Sequence, residues 1–133
     1  MSHTRGIVVT AQDFERLQCV LDIEATSAIE QLEAELARAQ IVPAREIARD
    51  VVTMNSDVVY EDALSGVQRS VRVVYPKDVD ASRGWVSVLA PLGSALLGLR
   101  VGQTIDWTMP GGKRRLRVIS VPYQPESNGS FSL

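Results

Sequence analysis

Two carboxylates in the first third of the chain have the chemistry needed to hold a metal ion. Asp22 and Glu24 follow an apolar helical pattern, and carboxylate oxygens are the ligands that Mg²⁺ prefers. No lysine or arginine occurs from Leu17 to Ala37, so this segment carries negative charge only. The alternative interpretation is a solvated turn, where acidic residues also suit the start of the next helix.

Other kinds of catalytic or metal site have few residues to draw on. The chain has one cysteine, Cys19, and one histidine, His3, so an internal disulfide cannot form and zinc binding is not expected. A Ser–His–Asp or Cys–His arrangement is equally hard to build around a single histidine near the terminus. Cys19 falls within an apolar helical pattern and is expected to be a small core residue. We therefore expect no catalytic residues, no metal site and no cofactor.

The acidic segment follows a predicted amphipathic helix. Thr10 can cap this helix, with Asp13 three residues later as its capping-box partner. An apolar stripe at helical spacing follows, formed by Phe14, Leu17, Val20 and Leu21.

A second helix is predicted from Ser27 to Val42, where Pro43 limits it. Its apolar stripe consists of Ile29, Leu32, Leu36 and Ala39. With a turn around residues 22–26, the two stripes face each other as an antiparallel hairpin with Asp22 and Glu24 at its tip. Arms of about 15 residues reach only ~20 Å.

The hydrophobic period changes after Pro43 and predicts strands. Alternating stretches occur at residues 58–60, 67–73, 85–89, 105–109 and 116–121. A short helix opens at Pro91 and runs from Leu92 to Leu97, with Gly98 as its end. The chain is thus α+β: a short helical hairpin followed by a twisted antiparallel sheet with one short helix against a face.

We assign residues 1–42 to the hairpin, 43–126 to the β-rich domain and 127–133 to a flexible tail, with fraying expected from Gln124. Trp85 and Trp107 lie within alternating strands and are expected in the core. A run of cations begins at Lys113 and includes Arg114, Arg115 and Arg117. It could form a small basic patch, but a solvated strand edge is the favoured interpretation.

The charge distribution argues against direct nucleic-acid binding. Residues 1–42 contain three Lys/Arg and seven Asp/Glu, whereas residues 43–133 contain eleven and nine. An acidic first third lacks the basic footprint that nucleic acid requires, so another protein is the expected partner. No apolar run approaches the roughly 18 to 20 residues of a membrane span, and no export signal is evident, so we expect a cytoplasmic protein that does not bind membranes.

The stretch from Ala90 to Gly112 resembles a known family. Its Pro-led helix, the Leu-Gly-Leu-Arg-Val-Gly segment at residues 97–102 and the Pro-Gly-Gly turn at 110–112 resemble the C-terminal domain of the Gre transcript-cleavage factors. Residues 50–56, 74–76 and 121–126 look like the Rnk family, the regulators of nucleoside diphosphate kinase, which are Gre-like proteins with a shortened hairpin. The resemblance covers about residues 45–126.

The resemblance implies an FKBP-like domain at the rim of the secondary channel of RNA polymerase, on the β′ subunit, with the hairpin pointing inward. It also implies a polymerase-docking surface at Pro91, Leu92 and Ser94. In Gre factors two acidic tip residues help to hold a second Mg²⁺ at the polymerase active centre, and Asp22 and Glu24 occupy the corresponding tip here. Proteins resembling Rnk bind polymerase and compete with Gre factors without stimulating cleavage, and the short arms favour that role, in which the tip acts sterically or electrostatically.

Two alternatives of other classes stay open. The FKBP-like fold suggests a peptidyl-prolyl isomerase, although seven aromatic residues in 133 leave little for an aromatic pocket. An active transcript-cleavage cofactor would require Asp22 and Glu24 to reach the polymerase metal. The favoured reading is a non-enzymatic transcription regulator.

Overall fold

The computed structural model describes residues 7–23, 33–109 and 112–128 of the chain. Its helices and strands run in the order β1 (Val8–Thr10), α1 (Ala11–Ile23), β2 (Gln40–Val42), β3 (Asp57–Asp62), β4 (Gln68–Val74), β5 (Trp85–Ser87), α2 (Pro91–Leu96), β6 (Thr104–Met109) and β7 (Gly112–Tyr123). Residues 33–37 are also helical. Short 3-10 helices lie at Ala44–Glu46, Pro76–Asp78, Ala81–Arg83 and Glu126–Asn128.

The main sheet has five strands in the order β5-β4-β3-β7-β6. The pairs β3–β4, β3–β7 and β6–β7 are antiparallel, as the alternating pattern predicted. The β4–β5 pair is parallel, so the prediction of a purely antiparallel sheet is wrong at this edge. The connection at residues 75–84 contains two 3-10 turns and brings the chain back beside Arg72, so β5 runs in the same direction as the last residues of β4.

One face of the sheet, which we call the inner face, is covered by α2. Alternate residues of β3, β4, β6 and β7 form it, including Val58, Tyr60, Val73, Ile105, Trp107, Leu116 and Val118. Trp107 is 7% exposed, which confirms its predicted place in the core. Trp85 is only half-buried, because it pairs with Arg72 and shares the opposite, outer face with it.

The first helix begins as predicted, and its described part ends at Ile23, within the predicted turn at residues 22–26. The Asp13 backbone N–H donates to Thr10 Oγ1 at 3.1 Å, so Thr10 caps α1. Leu17 is fully buried, but Cys19 is exposed, and its predicted burial is wrong. Cys19 follows Leu17 by two residues, a spacing that corresponds to a rotation of about 200° around the helix axis. The Cys19 side chain therefore points away from the core.

The predicted second helix ends earlier than expected. Residues 33–37 are helical, but Gln40–Val42 forms β2 and pairs in parallel with β1. Ile41 and Val42 are β-branched, and the residue before Pro43 is disfavoured in helical conformation, which explains the change. The predicted helix start at Ser27 lies outside the described residues, as do Glu24 and His3.

The base of the first helix shares its core with the sheet. Ile7, Val9, Leu17 and Leu36 belong to the same buried cluster as the inner-face residues. The Val8 N–H donates to the Gly98 carbonyl at 3.1 Å, and the Gly98 N–H donates to the Val52 carbonyl at 2.8 Å. Gly98, in the segment that follows α2, therefore links β1 to Val52.

The segment after β7 is packed where fraying was predicted. Gln124 is 1% exposed, and its side-chain amide donates to the carbonyls of Ala48 at 2.7 Å and Val51 at 2.8 Å. The Ser127 hydroxyl donates to the Gln124 carbonyl at 3.0 Å. The expected fraying is thus wrong for residues 124–128, and residues 129–133 lie outside the described part of the chain.

The strand β7 is flanked by β3 and β6, but its register with β3 ends at Leu116, so Lys113 and Arg114 extend beyond β3 and pair with β6 alone. Lys113 and its neighbours are exposed. Arg115 pairs with Asp106 at 2.8 Å on the outer face, and Arg114 lies 3.7 Å from Asp62 on the inner face. In the described ranges, no helix is both long and apolar enough to span a membrane.

Gly98→Ala should destabilise the fold more than Gly66→Ala. Both glycines have a left-handed backbone, with φ of 80° and 77°. A Cβ at Gly98 would lie 2.6 Å from Ile7 Cβ, whereas a Cβ at Gly66 would meet nothing within 4 Å. We expect a loss of about 1–2 kcal/mol from backbone strain in both variants. Gly98→Ala should lose about 1–3 kcal/mol more because the core is overpacked.

Urea unfolding followed by tryptophan fluorescence measures both losses. Equal losses of unfolding free energy in the two variants would show that the close contact between Ile7 and residue 98 does not contribute to the destabilisation.

Candidate docking surface and the base of the first helix

The short helix α2 presents two apolar side chains. Pro91 occupies its first turn, where a missing N–H costs nothing, and Leu92 follows it. Both are half-buried, so part of each side chain remains at the surface. Ser94 is 1% exposed, and its hydroxyl donates to the Pro91 carbonyl at 3.2 Å. This burial corrects the assignment of Ser94 to a contact surface, because its side chain is turned back into the helix.

The inner side of α2 meets the sheet as predicted. Leu96 and Leu99 are fully buried. A Cβ added to Gly93 would lie 2.0 Å from the Ser87 carbonyl oxygen and 3.0 Å from Val88 Cα. Since real Cβ atoms do not approach backbone so closely, only glycine lets α2 lie directly against β5. The position of Pro91 and Leu92 relative to the sheet is therefore set by this close packing.

The edge strand β5 is attached to the sheet by a stack of aromatic and cationic side chains on the outer face. The Arg72 guanidinium lies 4.9 Å from the Trp85 ring centroid and 5.3 Å from that of Tyr123. It also donates to both carboxylate oxygens of Asp57, at 2.8 and 3.2 Å. The hydrogen bonding to Asp57 raises the pKa of Arg72 above its usual value. Arg83 covers Trp85 as well, at 5.1 Å.

A buried carboxylate lies where α1 meets the sheet domain. Asp13 is 4% exposed, in the first turn of α1. Its Oδ2 accepts a hydrogen bond from the Met54 backbone N–H at 3.1 Å, and its Oδ1 accepts one from the Tyr75 hydroxyl at 3.4 Å. Asp13 was expected as a local capping partner of Thr10. Its carboxylate instead connects the helix to two distant segments of the chain.

Burial dominates the electrostatics of this joint. It raises the pKa of Asp13 to about 6, although the Met54 N–H hydrogen bond opposes the shift. The negative charge of Glu126 raises the Asp13 pKa further, and Arg16 lowers it. Burial also raises the pKa of Tyr75, whose hydroxyl therefore stays protonated and remains a donor.

A second polar group continues from Met54 to the end of the described chain. The Thr53 hydroxyl donates to Glu126 at 2.6 Å and lies 2.8 Å from the Ser56 hydroxyl. Burial raises the pKa of Glu126, and the Thr53 hydrogen bond partly offsets this. The segment at residues 53–56 therefore contacts α1 on one side and the C-terminal 3-10 helix on the other.

Of the two predicted tip residues, Asp22 lies in the last turn of α1, while Glu24 is outside the described residues. The helix has 13 residues, which corresponds to ~20 Å along its axis. Within residues 7–23, 33–109 and 112–128, no group of three or more histidine, cysteine, aspartate or glutamate side chains could hold a metal ion.

Beyond α2, the inner face opens into a cleft of about 400 Å³. Leu92 borders it on the helix side, and Tyr60, Arg69, Arg114 and Leu116 border it on the sheet side. The helix has only six residues, so it covers the inner face over part of its length and leaves this end open.

Sequence reasoning missed two of these features. The role of Asp13 was not evident because its spacing from Thr10 also fits a capping box. Only its contacts with Met54 and Tyr75 distinguish a tertiary hydrogen-bond acceptor from a local capping residue. The stack of Arg72 on Trp85 depends on the parallel pairing of β5, which the alternating pattern did not reveal. The sequence did contain one indication of this stack: Arg72 alternates with the apolar residues of its strand, a spacing that indicates the opposite face.

The chain is similar to known transcription proteins over nearly its whole length. A family profile described as "Transcription elongation factor, GreA/GreB, C-term" matches residues 38–123, and one described as "Rnk N-terminus" matches residues 5–42. The "Regulator of nucleoside diphosphate kinase" of Escherichia coli (strain K12) is 41% identical over 131 residues, 96% of each chain.

Two further relatives are similar in sequence or structure. The "Transcription elongation factor GreB" of Xanthomonas axonopodis pv. citri is 36% identical over 71% of this chain and 56% of its own length. The solved structure titled "Prokaryotic transcription elongation factor GreA/GreB from Nitrosomonas europaea" has 45% identity and a TM-score of 0.75. That similarity covers 90% of this chain and 100% of the solved one.

Asp13→Asn should make the stability of the protein less dependent on pH. The pKa of Asp13 rises from 3.8 to about 6 on folding, so the folded state holds this proton more tightly. The resulting stabilisation is complete below about pH 4 and is lost as the pH rises through 6, by up to about 3 kcal/mol. Between pH 5 and 7.5 the wild type should therefore lose about 1 kcal/mol of unfolding free energy at this residue. The asparagine amide should lose none.

Urea titrations at both pH values measure the difference. Glu126→Gln is a comparison variant: it should also reduce the pH dependence, because the pKa of Glu126 is itself raised and its charge contributes to the raised pKa of Asp13. An identical pH dependence for Asp13→Asn and the wild type would contradict the assignment.

Proposed function

This chain belongs to the GreA/GreB family of transcription elongation factors, as a homologue of the regulator of nucleoside diphosphate kinase, and from that premise we propose that it regulates transcription by binding RNA polymerase. It occupies the rim of the secondary channel, on the β′ subunit. There it excludes Gre factors and does not stimulate transcript cleavage itself. The effect on nucleoside diphosphate kinase that the relatives' name records follows indirectly, through transcription.

The surface of α2 is the observation that carries this proposal. Pro91 and Leu92 are partly exposed apolar residues on a helix whose position is fixed by the contact of Gly93 with β5. A rigid apolar surface loses little conformational freedom on binding, which favours a protein partner. With Ser94 buried, the docking surface consists of Pro91 and Leu92.

The length of α1 supports competition over cleavage. Asp22 lies in the last turn of a 13-residue helix whose first turns are buried against the sheet domain, so it lies at most ~20 Å along the helix axis from β1. A tip of this reach fills the entrance of a channel and stops short of a metal at its far end. Chemistry at a metal requires placement within a few ångströms, which a short arm does not provide.

The isomerase alternative has less support. A proline pocket is built from several aromatic side chains, but the cleft beside α2 is bordered by Tyr60 together with Arg69 and Arg114. Tyr60 is only 8% exposed. A peptide isomerisation assay tests this alternative, and turnover above the uncatalysed rate would revive it.

A competition experiment on stalled elongation complexes tests the main proposal. The protein is titrated with and without a Gre factor, and transcript cleavage is read on a gel. We expect loss of Gre-stimulated cleavage and no cleavage with the protein alone. If saturating protein changes nothing, polymerase binding is not its main function.

Leu92→Asp should weaken that inhibition by tenfold or more, on the order of 1–3 kcal/mol, because a charge replaces an apolar anchor. Val101→Asp is the matched control: Val101 is 41% exposed, on the turn that precedes β6, and its substitution should leave inhibition unchanged. Equal inhibition by the two variants would move the docking surface away from α2.

Asp22→Asn with Glu24→Gln tests the tip. For a steric competitor, the double variant should inhibit Gre-stimulated cleavage within about twofold of the wild type, because each substitution removes charge and keeps the size of the side chain. Cleavage by the wild-type protein alone that disappears in this variant would instead identify an active cofactor.

A further inference from the structure

The cleft beside α2 combines cationic and apolar side chains that α2 leaves uncovered. Strand register places Tyr60 opposite Arg69, and Trp107 opposite Arg114, all on the inner face. The inner face thus changes from an apolar core under α2 to two guanidinium groups and one carboxylate, that of Asp62, at its open end, where positive charge is in excess. This arrangement suits a ligand that has both an apolar part and a negative charge.

The arginines keep donors available for such a ligand. Arg114 is about half exposed, and its Nη1 lies 3.7 Å from Asp62 Oδ2, which is a loose pairing. The Asp62 carboxylate also accepts a hydrogen bond from the Leu64 backbone N–H at 3.0 Å. Burial raises the pKa of the Tyr60 phenol, and the nearby charge of Arg69 opposes that shift. Each guanidinium has five N–H donors, so one loose contact leaves most of them unused.

Apolar surface borders the same cleft. Leu92 lies on the helix side, Leu116 is 3% exposed at the base, and Val67 is 47% exposed at the outer rim. Leu64, on the turn between β3 and β4, is 70% exposed. Exposed apolar side chains beside arginine are typical of protein interfaces, where arginine is enriched and lysine is depleted.

We propose that this cleft receives an aspartate or glutamate, flanked by apolar residues, from the polymerase segment on which α2 docks. The proposal rests on the proposed function and adds the chemistry of the partner segment. Its carboxylate pairs with Arg69 and Arg114, and its apolar neighbour packs against Leu92 and Val67. Leu92 belongs to both surfaces, so the cleft continues the docking surface of α2.

A nucleic acid fits the cleft less well. Phosphate would also pair with the two arginines, but binding of single strands relies on aromatic rings on which bases stack. Tyr60 has its ring largely buried, and the remaining border is aliphatic or charged. The apolar part of the cleft would then face a sugar–phosphate backbone that gains nothing from it.

Binding to core RNA polymerase tests the proposal, with dissociation constants measured at several salt concentrations. Arg69→Gln with Arg114→Gln should weaken binding by about fivefold or more and flatten the salt dependence, because two charge-assisted hydrogen bonds are lost. Arg114→Glu should weaken it further. Lys113→Glu is the matched control, since Lys113 is exposed and neighbours Arg114 but points to the outer face. Urea unfolding of each variant verifies that the fold is retained, and the neutral glutamine variants avoid repulsion with Asp62.

The outcomes separate this inference from the proposed function. Weaker binding and a flatter salt dependence in the glutamine variants, with Lys113→Glu unchanged, support the cleft. Loss of binding in Leu92→Asp with full binding in the glutamine variants overturns the cleft and keeps polymerase docking. Absence of binding by the wild type overturns both. If the glutamine variants instead lose affinity for a single-stranded RNA oligonucleotide and bind polymerase as the wild type does, the cleft binds a phosphate and not a carboxylate. That result overturns the inference as stated.

Discussion

The approach of α2 to β5 at Gly93 determines how the rest of the inner face is used. A side chain at this position would collide with the Ser87 carbonyl, so glycine sets the distance between helix and sheet. At that distance the buried leucines Leu96 and Leu99 fill the space above the central strands. The same contact leaves Pro91 and Leu92 at the surface. The helix ends after six residues, and the open end of the sheet follows directly from this short cover.

The joint between α1 and the sheet domain is polar inside an apolar surrounding. A buried carboxylate costs free energy unless hydrogen bonds compensate it, and Asp13 receives two, from Met54 and Tyr75. Because a buried polar group is satisfied only in one arrangement, this joint favours a single orientation of α1 over alternatives that would leave the carboxylate without donors. Apolar packing of Ile7, Val9 and Leu17 stabilises this joint, and the polar contacts determine the orientation of α1.

Much of the architecture could be predicted from local pattern. Alternation located β3, β4, β6 and β7, the Pro-led motif located α2, and Thr10 marked the start of α1, because each of these signals depends on neighbours in sequence. The family could be predicted for the same reason, since turn residues such as Gly98 recur at fixed spacing. What failed depended on distant partners: the parallel edge at β5, the strand at Gln40–Val42, the exposed Cys19 and the packed segment after β7. Gln124, for instance, reads as a polar tail residue until its contacts with Ala48 and Val51 are known.

The pairing of β1 with β2 has a consequence for how such chains can diverge. Val8–Thr10 and Gln40–Val42 lie side by side in parallel register, so the two ends of the intervening segment are fixed together at the sheet domain. The segment between them packs against the sheet domain near these two ends, where Leu17 and Leu36 are buried. Residues inserted farther from these ends would leave the pairing of β1 with β2 unchanged. A change of length in this segment therefore does not require a change in the sheet domain, and the match to this chain spans only 56% of the GreB relative.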